Sequence, residues 1–495
     1  MIYFVKESGV FPMFVFTDLP EVAREKNQVM TDKQFIAREI SRFKMSKKRL
    51  EMFAGDRYFK GHHDVLWKKR TAIGEDGNLI TIDNLPNNRV IDNQYRKMVN
   101  QKVNYLVGQP ITFQSENKEF MDALKQTFGK KFMRLLKRVA TCAENEGICW
   151  LFPTYDEDGC LMFKKFNGHE IIPGWRDADH TILDYAIRIY NMISYEGTTD
   201  EKIVEKVEVY DETGISYFQL NGNDLVAEEP FHESYFMVDG IHPFNWTRIP
   251  LIPFKRDAEE IPLIRSVKSL QDGLNDILSN FQNNMEEDSR NTILILVNYD
   301  GENLGQFRRN LANYGAVKVK TVDGAAGDLK TLQIEVNAEN YKAIIDIFKK
   351  AIIENAMGFD AKDDRLGGQP NQMNIQSMYS DIDLDANDME TEFQASFEEL
   401  LWFVRCDYAN RGIGDFDLDG LEVIFNRDLP MVESEVIQNI RNSIGILSDE
   451  TLVAQHPWVD DVELELKRKE KQEKDEQQKL LGNSDPFHQG GDDPE

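Results

Sequence analysis

Residues 263–285, LIRSVKSLQDGLNDILSNFQNNM, decide how the chain is read. Leu263, Ile264, Val267, Leu270, Leu274, Ile277, Phe281 and Met285 recur every three or four positions, which predicts an amphipathic helix over about 261–289. At 1.5 Å per residue it spans about 40 Å. A second helix is predicted over 338–357, with Tyr341, Ile344, Ile345, Phe348, Ile352 and Ile353 on one side. Between the two lie a strand (NTILILVN, 291–298), a short helix (302–312), a strand (GAVKVK, 315–320) and the turn VDGAAGD. Helix, compact insert, helix is the pattern of a stalk with a tip.

Upstream, Ile36, Ile40, Phe43, Leu50 and Phe53 keep helical spacing, and 61–90 reads as loops with short strands. Residues 91–107 form a helix stopped by Gly108 and Pro110, and 117–146 a helix pair broken at Gly129. From Ile148 to Phe254 strand signals dominate. Turns at YDEDG (155–159) and DETG (211–214) suggest an α+β domain with a curled antiparallel sheet. Downstream come a Gly-rich loop (358–374) and a third long helix from Met378 to Arg411, ended by Gly412 and Gly414. A strand (421–425), helices at 432–444 and 449–479, and an acidic Gly/Pro-rich end read as disordered follow.

The chain has 495 residues and a net charge of −28, from 58 Lys plus Arg against 86 Asp plus Glu. Proteins that coat nucleic acid carry the opposite surplus, so that class is excluded; a channel or a local basic patch is not. An apolar fraction of 41% is enough for a sizeable core. The four cysteines, Cys142, Cys149, Cys160 and Cys406, form no CxxC pair and read as buried reduced thiols. No transmembrane span or signal peptide stands out, and a cytosolic origin follows.

Motifs for chemistry are scarce. FGKKF (128–132) lacks the upstream glycine of a phosphate loop. Ser443, Ser448 and His456 lack nucleophile-elbow glycines, and adjacent His62 and His63 read as a surface pair. Asp381, Asp383, Asp385 and Glu392 fit a calcium pattern, but Ala386 replaces the required glycine, so they read as the acidic face of a helix. Asp415, Asp417 and Asp419 are the remaining weak metal candidates. Asn426 stands where the bidentate Glu belongs, and a tight acidic turn is the simpler reading. No enzyme and no cofactor are expected. Arg308, Arg309, Lys318 and Lys320 make a local basic spot on the insert.

Two further segments, NQYRKMVNQKVNYLVGQPITF (93–113) and FNRDLPMVESEVIQNIRNSIGILSDETLVAQHPWVDDVELEL (425–466), resemble the portal proteins of tailed bacteriophages, the group found in siphophages of Gram-positive hosts. The resemblance covers about 30–470 and implies a portal fold: long stem helices, an α/β clip, a mixed α+β wing and a helical crown. It implies a wing at 31–257 with 413–430, stem helices at 258–290 and 336–357, and a clip at 291–335. A tunnel loop at 358–376, a long wing helix at 377–412 and a crown at 431–482 follow. The segment 1–30 precedes these parts, and a disordered tail at 483–495 ends the chain. It further implies a ring, commonly of twelve subunits, at one capsid vertex, with double-stranded DNA passing through. The terminase large subunit, a head-completion adaptor, and major capsid and scaffolding proteins would be partners, and no membrane. The place would be the virion, and host cytoplasm during assembly. Lys362, Arg365, Gln369 and Asn371 would meet DNA from the tunnel loop, and Arg308, Arg309, Lys318 and Lys320 would dock motor or adaptor. An intracellular calcium-binding or catalytic protein using Asp415–Gly420, or another structural virion protein, is the alternative.

Overall fold

A computed structural model describes residues 32–73, 77–83, 85–196, 200–222, 224–238, 242–288, 293–297, 303, 328–332, 338–360, 372–427, 433–459 and 462–482. The chain divides into two compact units, Met1–Phe359 with Ile382–Arg427, and Asp360–Asp381 with Asp428–Glu495. The fold is α+β.

The first unit opens with α1 (Asp32–Lys44) and α2 (Lys47–Phe59). One helical period does not run through both. Ser46 turns out of the helix and its Oγ accepts from the Arg49 amide, which restarts the register and leaves Leu50 55% exposed. A hairpin of β1 (Thr71–Ile73) and β2 (Leu79–Thr81) follows, then α3 (Gln94–Val107), capped by Asn93 and ending at Gly108 as its sequence predicts. After β3 (Thr112–Gln114), the predicted helix pair is found as α4 (Lys118–Thr127) and α5 (Lys130–Glu146).

The strands come next: β4 (Ile148–Tyr155), β5 (Leu161–Asn167), β6 (Ile171–Trp175), β7 (Leu183–Glu196), β8 (Asp200–Asp211), β9 (Gly214–Asn221) and β10 (Asp224–Glu233). Then β11 (Phe236–Val238), β12 (His242–Phe244) and β13 (Ile252–Lys255) complete the series. β10-β9-β8-β7-β6 form one antiparallel sheet and β13-β4-β5 another. Both predicted hairpin turns are present, between β4 and β5 and between β8 and β9.

Helix α6 (Ile264–Asp288) is the helix of the opening stretch, and α7 (Ala338–Asn355) packs along it. From the insert, β14 (Ile293–Val297) pairs antiparallel with β15 (Asp328–Leu332), a strand that the polar sequence DLKTL did not announce. The expected helix 302–312, strand 315–320 and turn lie outside the described residues, apart from Asn303 and Asp328. Helix α8 (Gln372–Asn410) starts inside the stretch read as a Gly-rich loop. β16 (Glu422–Ile424) pairs with β3.

Two apolar clusters make the core of this unit. One gathers Phe113, Phe120, Phe128, Phe132, Phe254, Phe393 and Phe397 around α8. The other joins Phe35, Ile40 and Met52 to the inner face of the five-stranded sheet through Ile187, Val207 and Phe218. Cys142 and Cys149 are buried as expected, but Cys406 on α8 is only half-buried, and Cys160 is exposed because it follows the YDEDG turn.

The second unit holds α9 (Glu433–Asn442), α10 (Asp449–Ala454) and α11 (Val462–Gly482). One helix was predicted over 449–479. It is two, because Pro457 has no amide to donate and ends the first. Ser448 Oγ caps α10, and Lys469 pairs with Asp449 at 2.6 Å.

Candidate functional site

Helix α6 is fastened on one side by a row of polar side chains four residues apart. Gln271, Asn275, Ser279 and Asn283 are all buried. Facing them run the non-helical residues 88–93 and the first turn of α3. The Asn88 amide donates to Asn283 Oδ1 at 2.7 Å, Val90 to Ser279 Oγ at 2.9 Å, Asp92 to Asn275 Oδ1 at 3.1 Å and Tyr95 to Gln271 Oε1 at 2.9 Å. The spacing explains the match. Four helical residues rise about 6 Å, and two extended residues advance about 6.6 Å. The helix therefore presents acceptors in step with the alternate amides of Asn88, Val90 and Asp92, while Tyr95, three residues on, offers a first-turn amide of α3 that has no partner within its own helix.

The row is tied into its surroundings. Gln271 Nε2 also donates to the Asp92 carbonyl at 2.8 Å. Asn275 Nδ2 lies 2.8 Å from His63 Nδ1, and His63 Nε2 lies 3.1 Å from the Tyr58 carbonyl. With an amide donor at Nδ1, the ring carries its proton on Nε2. Burial holds its pKa below the usual value and keeps it neutral. His63 is thus not on the surface as its sequence position suggested; it is fully buried and stacked on Tyr58 at 4.3 Å. Nearer solvent, Lys268 bridges Asp64 and Asp272, and Lys68 pairs with Asp276.

On its other side α6 meets α7. Phe281 packs on Tyr341 with ring centroids 4.9 Å apart, and Asn284 Nδ2 donates to Tyr341 Oη at 2.9 Å. At Gly273 a Cβ would fall 2.5 Å from the Phe348 ring, so only glycine lets the helices come this close.

Two charge clusters fix the base of the helix pair. Just before α6, Glu260 adopts φ +55 and its carboxylate is surrounded by Lys48, His180 and Lys255. Burial opposes its charge, but the His180 hydrogen bond and the two ammonium groups outweigh that and hold it at about 2. Further in, Arg256 reaches Glu144 at 3.0 Å, Asp257 at 2.6 Å and Asp385 at 2.7 Å, and Lys102 pairs with Asp385. Burial pushes Glu144 up against the pull of Arg256.

The acidic run once weighed as a calcium pattern is consumed here. It lies within α8, as its helical reading predicts, and Asp383 and Glu390 both pair with Arg427. Asp415 pairs with Arg405 at 3.1 Å, and Asp417 Oδ1 accepts from the Asp419 amide at 3.2 Å, the geometry of a tight turn. Among the described residues no cluster of three or more His, Cys, Asp or Glu could hold a metal. Ser448 serves as a helix cap. Arg308, Arg309, Lys318, Lys320, Lys362, Arg365, Gln369 and Asn371 lie outside the described residues. No described helix is long and apolar enough to cross a membrane.

Sequence reading missed the polar row. Its signal was present in the strict four-residue recurrence of Gln271, Asn275, Ser279 and Asn283 on a helix whose apolar stripe lies elsewhere.

The chain is similar in sequence to known proteins. The chain is 29% identical to a portal protein of Bacillus phage SPP1 over 448 residues, covering 89% of this chain and 87% of that one. It is 26% identical to a portal protein of Clostridium phage phiCD119 over 427 residues, covering 84% and 91%. The family model of phage portal proteins, SPP1 Gp6-like, matches residues 37–479. With nearly the whole described fold inside that match, the chain belongs to the SPP1 Gp6-like family of phage portal proteins.

Proposed function

We infer that the chain assembles as a homo-oligomeric ring at one capsid vertex, through which double-stranded DNA is packaged and later ejected. The observation that carries this is the family match over 37–479 together with a helix pair, α6 and α7, interrupted by an insert. In this reading α6 and α7 are the stem beside the channel, and 291–335 is the clip on which the terminase motor and then a tail adaptor dock. Residues 31–257 with 413–430 are the wing, the stretch leading into α8 is the tunnel loop, and 431–482 is the crown. The portal performs no chemistry; the motor supplies the work.

The net charge of −28 per subunit suits a conduit. Firm phosphate binding would slow every step, whereas a negative wall keeps the duplex centred. Basic side chains at Lys362 and Arg365, with Gln369 and Asn371, are the contacts that would hold DNA against backflow. Arg308, Arg309, Lys318 and Lys320 would dock the motor. Deleting 362–374 tests the loop. Rings should still form, but packaging of DNA into heads should stop; normal packaging would refute the assignment. Reversing the four clip charges to Glu should weaken motor binding, and an unchanged affinity would remove that role.

A further inference from the structure

Among the described residues the hairpin β1–β2 pairs with no other strand. Ile73 and Leu79 stand directly opposite each other on one face, 76% and 73% exposed, and Ile80 is half exposed. A two-stranded ribbon with its apolar face in water is marginal by itself. A second bare apolar patch lies on α7, where Ile344 is 41% and Ile347 64% exposed.

The base of the ribbon and the patch on α7 lie at neighbouring levels along α6. At the root of the hairpin, Lys68 pairs with Asp276, and just beyond it Asn88 and Val90 bond to Asn283 and Ser279. The ribbon therefore springs from the level of α6 residues 276–283. Across α6, Phe281 and Asn284 meet Tyr341, and Gly273 meets Phe348, which places Ile344 within that span and Ile347 just beyond its Asp276 end. In a cyclic ring, neighbours differ only by rotation about the axis, so patches that touch must lie at equal height along it. The charges match as well. Lys69, at the hairpin's base, and Asp346, between the two isoleucines, are both exposed and have no partner among the described residues.

We propose that the paired strands β1 and β2 of each subunit cover Ile344 and Ile347 on the stem helix of a second copy of this chain, with Lys69 facing Asp346 across the contact. The proposal rests on the ring reading above. It adds which surfaces close the ring: one face is a β-ribbon and the other a helix, as a heterologous contact requires.

The test uses the full chain with Cys160→Ser as parent. Oxidising Leu79→Cys combined with Ile347→Cys should give a ladder of covalent multimers on a non-reducing gel, and either single variant should give none. Lys69→Glu, and separately Asp346→Lys, should each raise the concentration at which rings form about tenfold, and the pair together should restore it. Circular dichroism confirms that each variant is folded. Assembled rings that yield no ladder, or single charge variants that assemble like the parent, overturn the contact and leave the ring standing. A parent chain that never forms rings defeats the ring reading and the contact with it, and is seen before any variant is made.

Discussion

Helix α6 and the part of α8 from Ile382 onward each bury one side in the same unit, but by different means. α8 is held by volume. Ile382, Met389, Phe393, Phe397, Leu400, Val404 and Tyr408 are buried along it, and Phe397 alone lies against Phe113, Phe128, Phe132, Phe254 and Phe425. α6 puts Ile264, Val267 and Leu274 into the same apolar cluster and meets α7 through Phe281, but along its polar side it is held by a matched row of hydrogen bonds. Apolar packing is strong but non-directional. Hydrogen bonds contribute little net energy each, yet a mismatched row leaves buried amides unpaired. The comparison teaches that α8 owes its stability to packing, whereas α6 owes its register to the row. In the proposed stem, that register would decide which side chains meet the bore.

The comparison can be broken at its apolar end first. Phe397→Ala should cost about 3–5 kcal/mol, because five rings lose a partner and the cavity cannot collapse; thermal or denaturant unfolding reads it. Next comes the anchor at the base of α6. The Glu260 carboxyl titrates at about 2 in the folded chain against an ordinary 4.5, so its stabilisation is complete above 4.5 and is lost as pH falls towards 2. That window is worth about 3 kcal/mol. Glu260→Gln should flatten the acid limb of a stability-versus-pH curve over the same range.

The polar row gives a smaller loss. Asn275→Leu strands the Asp92 amide and should cost about 1–3 kcal/mol, with faster hydrogen exchange at Asp92 and its neighbours as the sign that register has loosened. The smallest effect has the opposite sign. Glu399, on α8 near Arg248, is pushed up to about 7 by burial that Arg248 only partly offsets. A raised carboxyl pKa lowers stability as pH climbs from 4.5 to 7, so Glu399→Gln should stabilise the chain above pH 7 by about 1 kcal/mol after solvent screening.

The apolar halves of this comparison were legible in the sequence. Three-and-four spacing located α6, α7 and α8, and Gly108, Gly129 and Gly412 marked helix ends or breaks. The polar half was not, because a polar residue every fourth position looks like a solvated helix face until its partner segment is known. His63 was misplaced for a related reason: its neighbours Asn275 and Tyr58 are polar contacts that no hydrophobic pattern registers. Asp385 and Asp383 read as a local acidic cluster, and only folding brings Lys102, Arg256 and Arg427 to them from far along the chain. Pro457 did announce the break between α10 and α11, and the charged run after it masked the signal.

Negative-stain electron microscopy of the purified chain at neutral pH tests the central claim most directly. The account predicts rings with a stain-filled central hole, formed without other phage proteins. Compact single particles without a hole, across the concentrations at which the chain stays folded, would contradict it.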